Sequence, residues 1–100
     1  MKKRFVVVAN PTTQEQDKVF QDWLNTRGLG WWHWLNETWL INDPNGLHEA
    51  ADIRAKAMEC FPGIYNLVLE LTPTSDTWAG YGPTKSGKDM FEWIRNFWNR

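Results

Sequence analysis

Two periods of apolar residues run along this chain. Residues 4–10, Arg4 to Asn10, hold a short β-branched run that predicts a buried strand, and Pro11 stops it. Thr12 with Glu15 three positions on has the spacing of a capping box. The stretch that follows places Val19, Phe20, Trp23 and Leu24 on one helical stripe and meets its stop at Gly28. Residues 30–42 switch to alternation: Trp32 and Trp34 point one way, Trp31, His33 and Leu35 the other. Asn36-Glu37 fits a tight turn, so this segment predicts a hairpin of two antiparallel strands.

Asp43-Pro44-Asn45-Gly46 is a strong turn signal. Helical spacing returns from Leu47 to Phe61, with Ala50, Ile53, Ala57 and Cys60 in phase, and Pro62-Gly63 ends it. Ile64 to Leu71 predicts a strand with Tyr65, Leu67, Leu69 and Leu71 on one side. Residues 72–87 are rich in Thr, Ser, Gly and Pro and predict a loop that carries Asp76, Trp78 and Tyr81. Ser86 is the expected cap of a last amphipathic helix with Met90, Phe91, Ile94, Phe97 and Trp98 on its apolar side. The order β-α-β-β-α-β-α is that of an α+β, ferredoxin-like β-α-β-β-α-β sandwich with an extra C-terminal helix. One sheet face then lies away from the two main helices, and an apolar face needs a cover.

Composition narrows the class. The 100 residues fit one domain across the whole chain, and 42% hydrophobic content builds one core without staples. The lone Cys60 excludes a disulfide framework and fits a reducing compartment. The basic start Lys2-Lys3-Arg4 leads into only five apolar residues, too few for a secretion signal, and no stretch reaches a membrane span. A cytoplasmic protein without a membrane partner is the expectation. A net charge of −1 argues against a broad salt-driven grip on duplex DNA. The eight tryptophans are the outlying feature, and so many in a short chain predict that some line a surface.

Several constellations invite chemistry. Gly82 to Lys88 has the G-x-x-x-x-G-K spacing of a phosphate loop, but Asp89 stands where the Mg²⁺-binding hydroxyl belongs. What remains is a Ser86 cap in a basic loop, or a helix start with Lys85 and Lys88 that holds a phosphate without hydrolysing it. Trp78 and Tyr81 lie in a glycine-rich stretch, where they either stack on a base or plug an interface. His33 and His48 lack metal-ligand spacing and read as structural or solvated. Cys60 reads as core. Glu37, Asp43, Glu49 and Asp52 read as a solvated acidic face, with Arg54 and Lys56 near it.

The segments Trp31-Trp32-His33-Trp34-Leu35, Thr38-Trp39-Leu40-Ile41, Ala51-Asp52-Ile53-Arg54, Leu67-Val68-Leu69-Glu70-Leu71, Trp78-Ala79-Gly80 and Glu92-Trp93-Ile94 resemble the SinR-like small proteins. Those are relatives of the ferredoxin-fold subunit of the CRISPR adaptation machinery. The resemblance implies a ferredoxin-like homodimer working in conflict between hosts and mobile elements, phage counter-defence included. It also brings in metal-dependent nucleases that carry an aspartate after the first strand. This chain has Asn10 there, which supplies no negative charge for a divalent ion.

The sequence thus points to a non-enzymatic binding module without a cofactor or metal. Its partners would be a second copy and a nucleic acid or nucleotide. Trp78, Tyr81, Lys85, Ser86 and Lys88 are the expected ligand-binding residues, and Trp31, Trp32, Trp34 and Trp39 the expected interface. A metal-dependent endonuclease and a pure assembly protein are the alternatives.

Overall fold

The computed structural model describes residues 1–71, 78–85 and 87–98. Strand β1 spans Lys3–Ala9, helix α1 Gln14–Thr26, strand β2 Gly30–Leu35 and strand β3 Thr38–Asp43. Helix α2 spans Ala50–Cys60 and strand β4 Asn66–Leu71. Two short strands follow, β5 at Thr84–Lys85 and β6 at Lys88–Asp89, and then a helix at Ile94–Trp98. The fold is α+β. The four long strands form one sheet in the order β2-β3-β1-β4, and every neighbouring pair is antiparallel. None of the helices among the described residues is long and apolar enough to cross a membrane.

Helix α1 starts one residue later than the Thr12–Glu15 spacing predicts. Thr13 is the cap: its hydroxyl accepts from the Gln16 amide at 3.1 Å, and the Gln16 side chain accepts from the Thr13 amide at 2.9 Å. Thr12 instead donates to Asp17 at 2.5 Å. Helix α2 begins at Ala50 rather than Leu47, because Glu49 and Asp52 close a reciprocal box at its start. Leu47 is left exposed.

The alternation of the strands sorts side chains onto two faces, and each face has its own core. On the first, Phe5, Val7, Trp39 and Ile41 of the sheet meet Phe20 and Leu24 of α1 and Ile53, Ala57 and Cys60 of α2. Trp39 is 1% exposed and takes the edge of Phe20 at 5.0 Å between ring centroids. On the second face, Trp32, Leu40 and Leu71 meet Met90, Phe91, Ile94 and Trp98 from the C-terminal segment. Trp32 Nε1 donates to the Met90 carbonyl at 2.6 Å, and Arg4 lies 5.3 Å from the centre of a Trp98 ring.

The last helix departs from expectation. It is a short π-helical segment at Ile94–Trp98, and Lys85 and Lys88 lie on the β5–β6 hairpin that precedes it. Ser86, the expected cap, lies outside the described residues, as does Asp76. The group that caps the turn before the helix is Asp89, whose Oδ1 accepts from the Phe91 amide at 3.0 Å and whose Oδ2 meets Arg95. The phosphate-holding helix start expected at Lys85–Lys88 is therefore not there.

Candidate functional site

Two of the four tryptophans expected at an interface lie inside the chain. Trp32 and Trp39 are buried at 5% and 1% exposure in its two cores, so neither offers area to a partner. Trp31 packs against the first core and donates Nε1 to Asn25 Oδ1 at 2.9 Å. Trp34 alone of that group is exposed, at 45%. Met90 to Trp98 cover Trp32 on one sheet face, while α1 and α2 cover Trp39 on the other.

The stretch around Trp78 and Tyr81 keeps its aromatic and basic character at the surface. Tyr81 is fully exposed and Trp78 is 37% exposed. Trp78 is not loose: its ring lies 5.6 Å from Phe91, centroid to centroid. Gly80 makes that approach possible, since a Cβ there would stand 2.5 Å from Phe91. Lys85 and Lys88 are cross-strand partners in the hairpin, closed by Gly87 at φ +82°. Both lysines are exposed. Like charges directly opposite each other on adjacent strands disfavour the pairing. A bound anion relieves that repulsion.

Both histidines are held by carboxylates. His33 stacks flat on Trp39, with ring centroids 3.7 Å apart, and sits between the Thr38 carbonyl at 2.9 Å and Asp17 at 3.3 Å. His48 meets Asp43 through its backbone amide at 2.8 Å and its ring Nδ1 at 3.1 Å. Asp43 is 2% exposed, so it belongs to the interior and not to a solvated acidic face. Glu49, by contrast, is exposed and pairs with Lys3 at 3.0 Å. Burial raises the Cys60 thiol above its ordinary value, which suits a core residue. Among the described residues no group of three or more His, Cys, Asp or Glu side chains is placed to hold a metal ion. Asn10, at the end of β1, lines a shallow cleft of about 250 Å³ with Glu37, Tyr65 and Asn66.

Two further surfaces stand open. On the second sheet face, beyond the reach of the C-terminal segment, Val8 faces Leu67 across the β1–β4 pair; these and Leu69 are 40%, 57% and 47% exposed. The other is a cleft of about 460 Å³ between the C-terminal helix and the start of β2, walled by Trp93 and Phe97. The register that pairs Gly30 with Asn42 creates its floor, and no sequence motif marks it.

Comparison with family models, curated proteins and solved structures yields no match for this chain.

Proposed function

We propose that this chain is a non-enzymatic binding module that takes a single nucleic-acid strand or a nucleotide on the surface spanning Trp78 to Lys88. The observation that carries the reading is the facing pair Lys85–Lys88 on a hairpin next to a fully exposed Tyr81 and a half-exposed Trp78. Lysines neutralise phosphate, and aromatic rings stack on bases of any sequence. The framework we assign is ferredoxin-like. Supporting it, the sheet read from its other edge runs β4-β1-β3-β2, all antiparallel, with α1 and α2 packed on one face. A setting in conflict between hosts and mobile elements is part of the same proposal and rests on the resemblance to SinR-like proteins.

Fluorescence anisotropy with a labelled single-stranded oligonucleotide tests it. Tyr81→Ala should weaken binding by about 1–3 kcal/mol if the ring stacks on a base. The double change Lys85→Ala, Lys88→Ala should flatten the slope of log K against log salt by about 1.4, the value for two phosphate contacts on a single strand. The strand should be recovered at full length after incubation with Mg²⁺ or Mn²⁺. Affinity that ignores all three substitutions would refute the assignment.

A second reading concerns self-association. The exposed Val8 of β1 with Leu67 and Leu69 of edge strand β4 forms an apolar strip, a surface that a second copy would cover. Leu67→Lys should shift the sedimentation velocity of the protein to that of a single copy. An unchanged profile would remove this reading.

A further inference from the structure

We infer that two copies of this chain join edge to edge through strand β4, in antiparallel register about a two-fold axis at Val68, so that two sheets become one. This pairing rests on the self-association reading above and specifies its edge, its register and its bonds. The sheet has two edges, β2 and β4. The β2–β3 register shifts between Trp32 and Leu35, an irregularity of the kind that blunts an edge. The β1–β4 register runs unbroken from Asn66 to Leu71. Strand β4 holds no proline and no lysine, and its one charge is Glu70. Among the described residues no strand covers its outer side.

The backbone of this edge is set for another strand. Just before β4, the Tyr65 carbonyl accepts from the Asn10 amide at 3.0 Å, which continues the ladder to β1. Backbone direction alternates along a strand, so Leu67 and Leu69 turn their N–H and C=O groups to β1. Asn66, Val68 and Glu70 turn theirs to the open side.

The sequence of β4 selects the occupant. A two-fold axis between antiparallel edges puts one residue opposite its own copy, with opposite side chains on the same face. With Val68 at the axis, Leu67 meets Leu69 of the second copy, and the exposed Tyr65 meets Leu71. One face of the junction is then apolar throughout. On the other face Asn66 meets Glu70 on either side of the Val68 pair, an amide donor against a carboxylate. The outward-turned residues face one another, and each such pair exchanges both N–H···O bonds. Other registers lose this match. An axis at Leu67 or Leu69 sets Asn66 or Glu70 against Val68, and one at Glu70 opposes like charges. A second copy carries the complementary pattern by symmetry.

Amide hydrogen exchange on the unaltered chain tests the bonds. Between dilute and concentrated protein, the Asn66, Val68 and Glu70 amides should slow by about 10-fold once about nine-tenths of the chains are paired, because an edge amide exchanges from the free fraction. The Leu67 and Leu69 amides, already bonded to β1, serve as reference. Cysteine trapping tests the register. Leu67→Cys and Leu69→Cys alter exposed side chains, and with Cys60 buried the unaltered chain gives the background. An equal mixture of the two variants should form several-fold more disulfide-linked dimer than either alone, since opposite positions lie within disulfide reach. Two cysteines at the same position lie two residues out of register, roughly 7–8 Å apart.

A sedimenting dimer with unprotected edge amides, or with trapping as strong in one variant as in the mixture, would overturn the edge pairing and leave self-association to another surface. A single copy at every concentration would overturn both. Equal protection of the three amides by an unrelated alternating Val-Thr peptide would assign the edge to strands in general, and would overturn the pairing as well.

Discussion

Trp32 and Trp34 lie two positions apart on one strand, yet the C-terminal segment covers only the first. Replacing each by alanine therefore separates a core role from a surface role. Trp32 is 5% exposed, and burying an indole of this size removes on the order of 200 Å² from water, an upper bound of ~5 kcal/mol. Trp32→Ala also leaves a cavity under Met90, Phe91 and Ile94, so a cost of about 3–5 kcal/mol is expected. Trp32→Phe keeps most of the apolar area but deprives the buried Met90 carbonyl of its donor, a loss of about 1–2 kcal/mol. Trp34, 45% exposed, takes less area out of water and leaves no enclosed cavity, so Trp34→Ala should cost about 1 kcal/mol. Urea unfolding followed by circular dichroism reads all three as midpoints at constant slope. In thermal melts each kcal/mol moves the midpoint by about 4–8 °C for a chain of this length. Equal costs for the two alanine variants would show that Trp32 is not covered, and the two-core description would fail. A neutral Trp32→Phe would show that the indole bond to Met90 contributes nothing.

Three further outcomes follow from single contacts. Gly80→Ala should push the chain off Phe91, cost about 1–3 kcal/mol by overpacking and change the emission of Trp78; an unchanged stability would mean that Gly80 is not in contact with that ring. The Phe91 amide, and after it Arg95, holds the Asp89 carboxyl below its ordinary value of 3.8, so its contribution is present above that pH and is lost as pH falls through the lower folded value. Acid titration of tryptophan fluorescence should therefore show a low-pH step that Asp89→Asn abolishes, and a step of the same size in that variant would assign it to another carboxyl group. Cys60 should react with a disulfide reagent at pH 8 far more slowly in the native protein than in urea, because burial both shields the thiol and raises its pKa; equal rates would put it at the surface.

The periodicity carries the long elements because their burial is one-sided. Val7 is flanked by half-buried Val6 and exposed Val8, and Phe20 and Leu24 recur on a helical stripe, so type and order follow from the residues alone. Ends are harder. Thr12 and Thr13 are both followed three residues later by a long polar side chain, and only the folded geometry decides that Thr13 caps while Thr12 turns to Asp17. Ser86-Gly87-Lys88 has the composition of a helix start, but Gly87 spends its positive φ on a hairpin and Asp89 takes over the cap. The tryptophan surplus misleads for a different reason. Alternation puts Trp32 and Trp34 on one face, but which of them is covered depends on where a segment sixty residues downstream comes to rest. The Asn42 cleft was illegible, because it arises from a cross-strand register with Gly30 and from a helix carbonyl far away in the chain.

The strand made first ends in the middle of the sheet. Val6 of β1 is flanked by Leu40 of β3 and Leu69 of β4, so both sides of this strand wait for partners that come late in the chain. Each pairing must close a long loop before it is rewarded, which sets the folding rate among the slower small mixed domains. A nascent chain that has released only α2 can place β3 beside β1, while the other edge of β1 stays open to any passing strand until β4 arrives. Association during synthesis, before the sheet is complete, is the hazard this strand order carries.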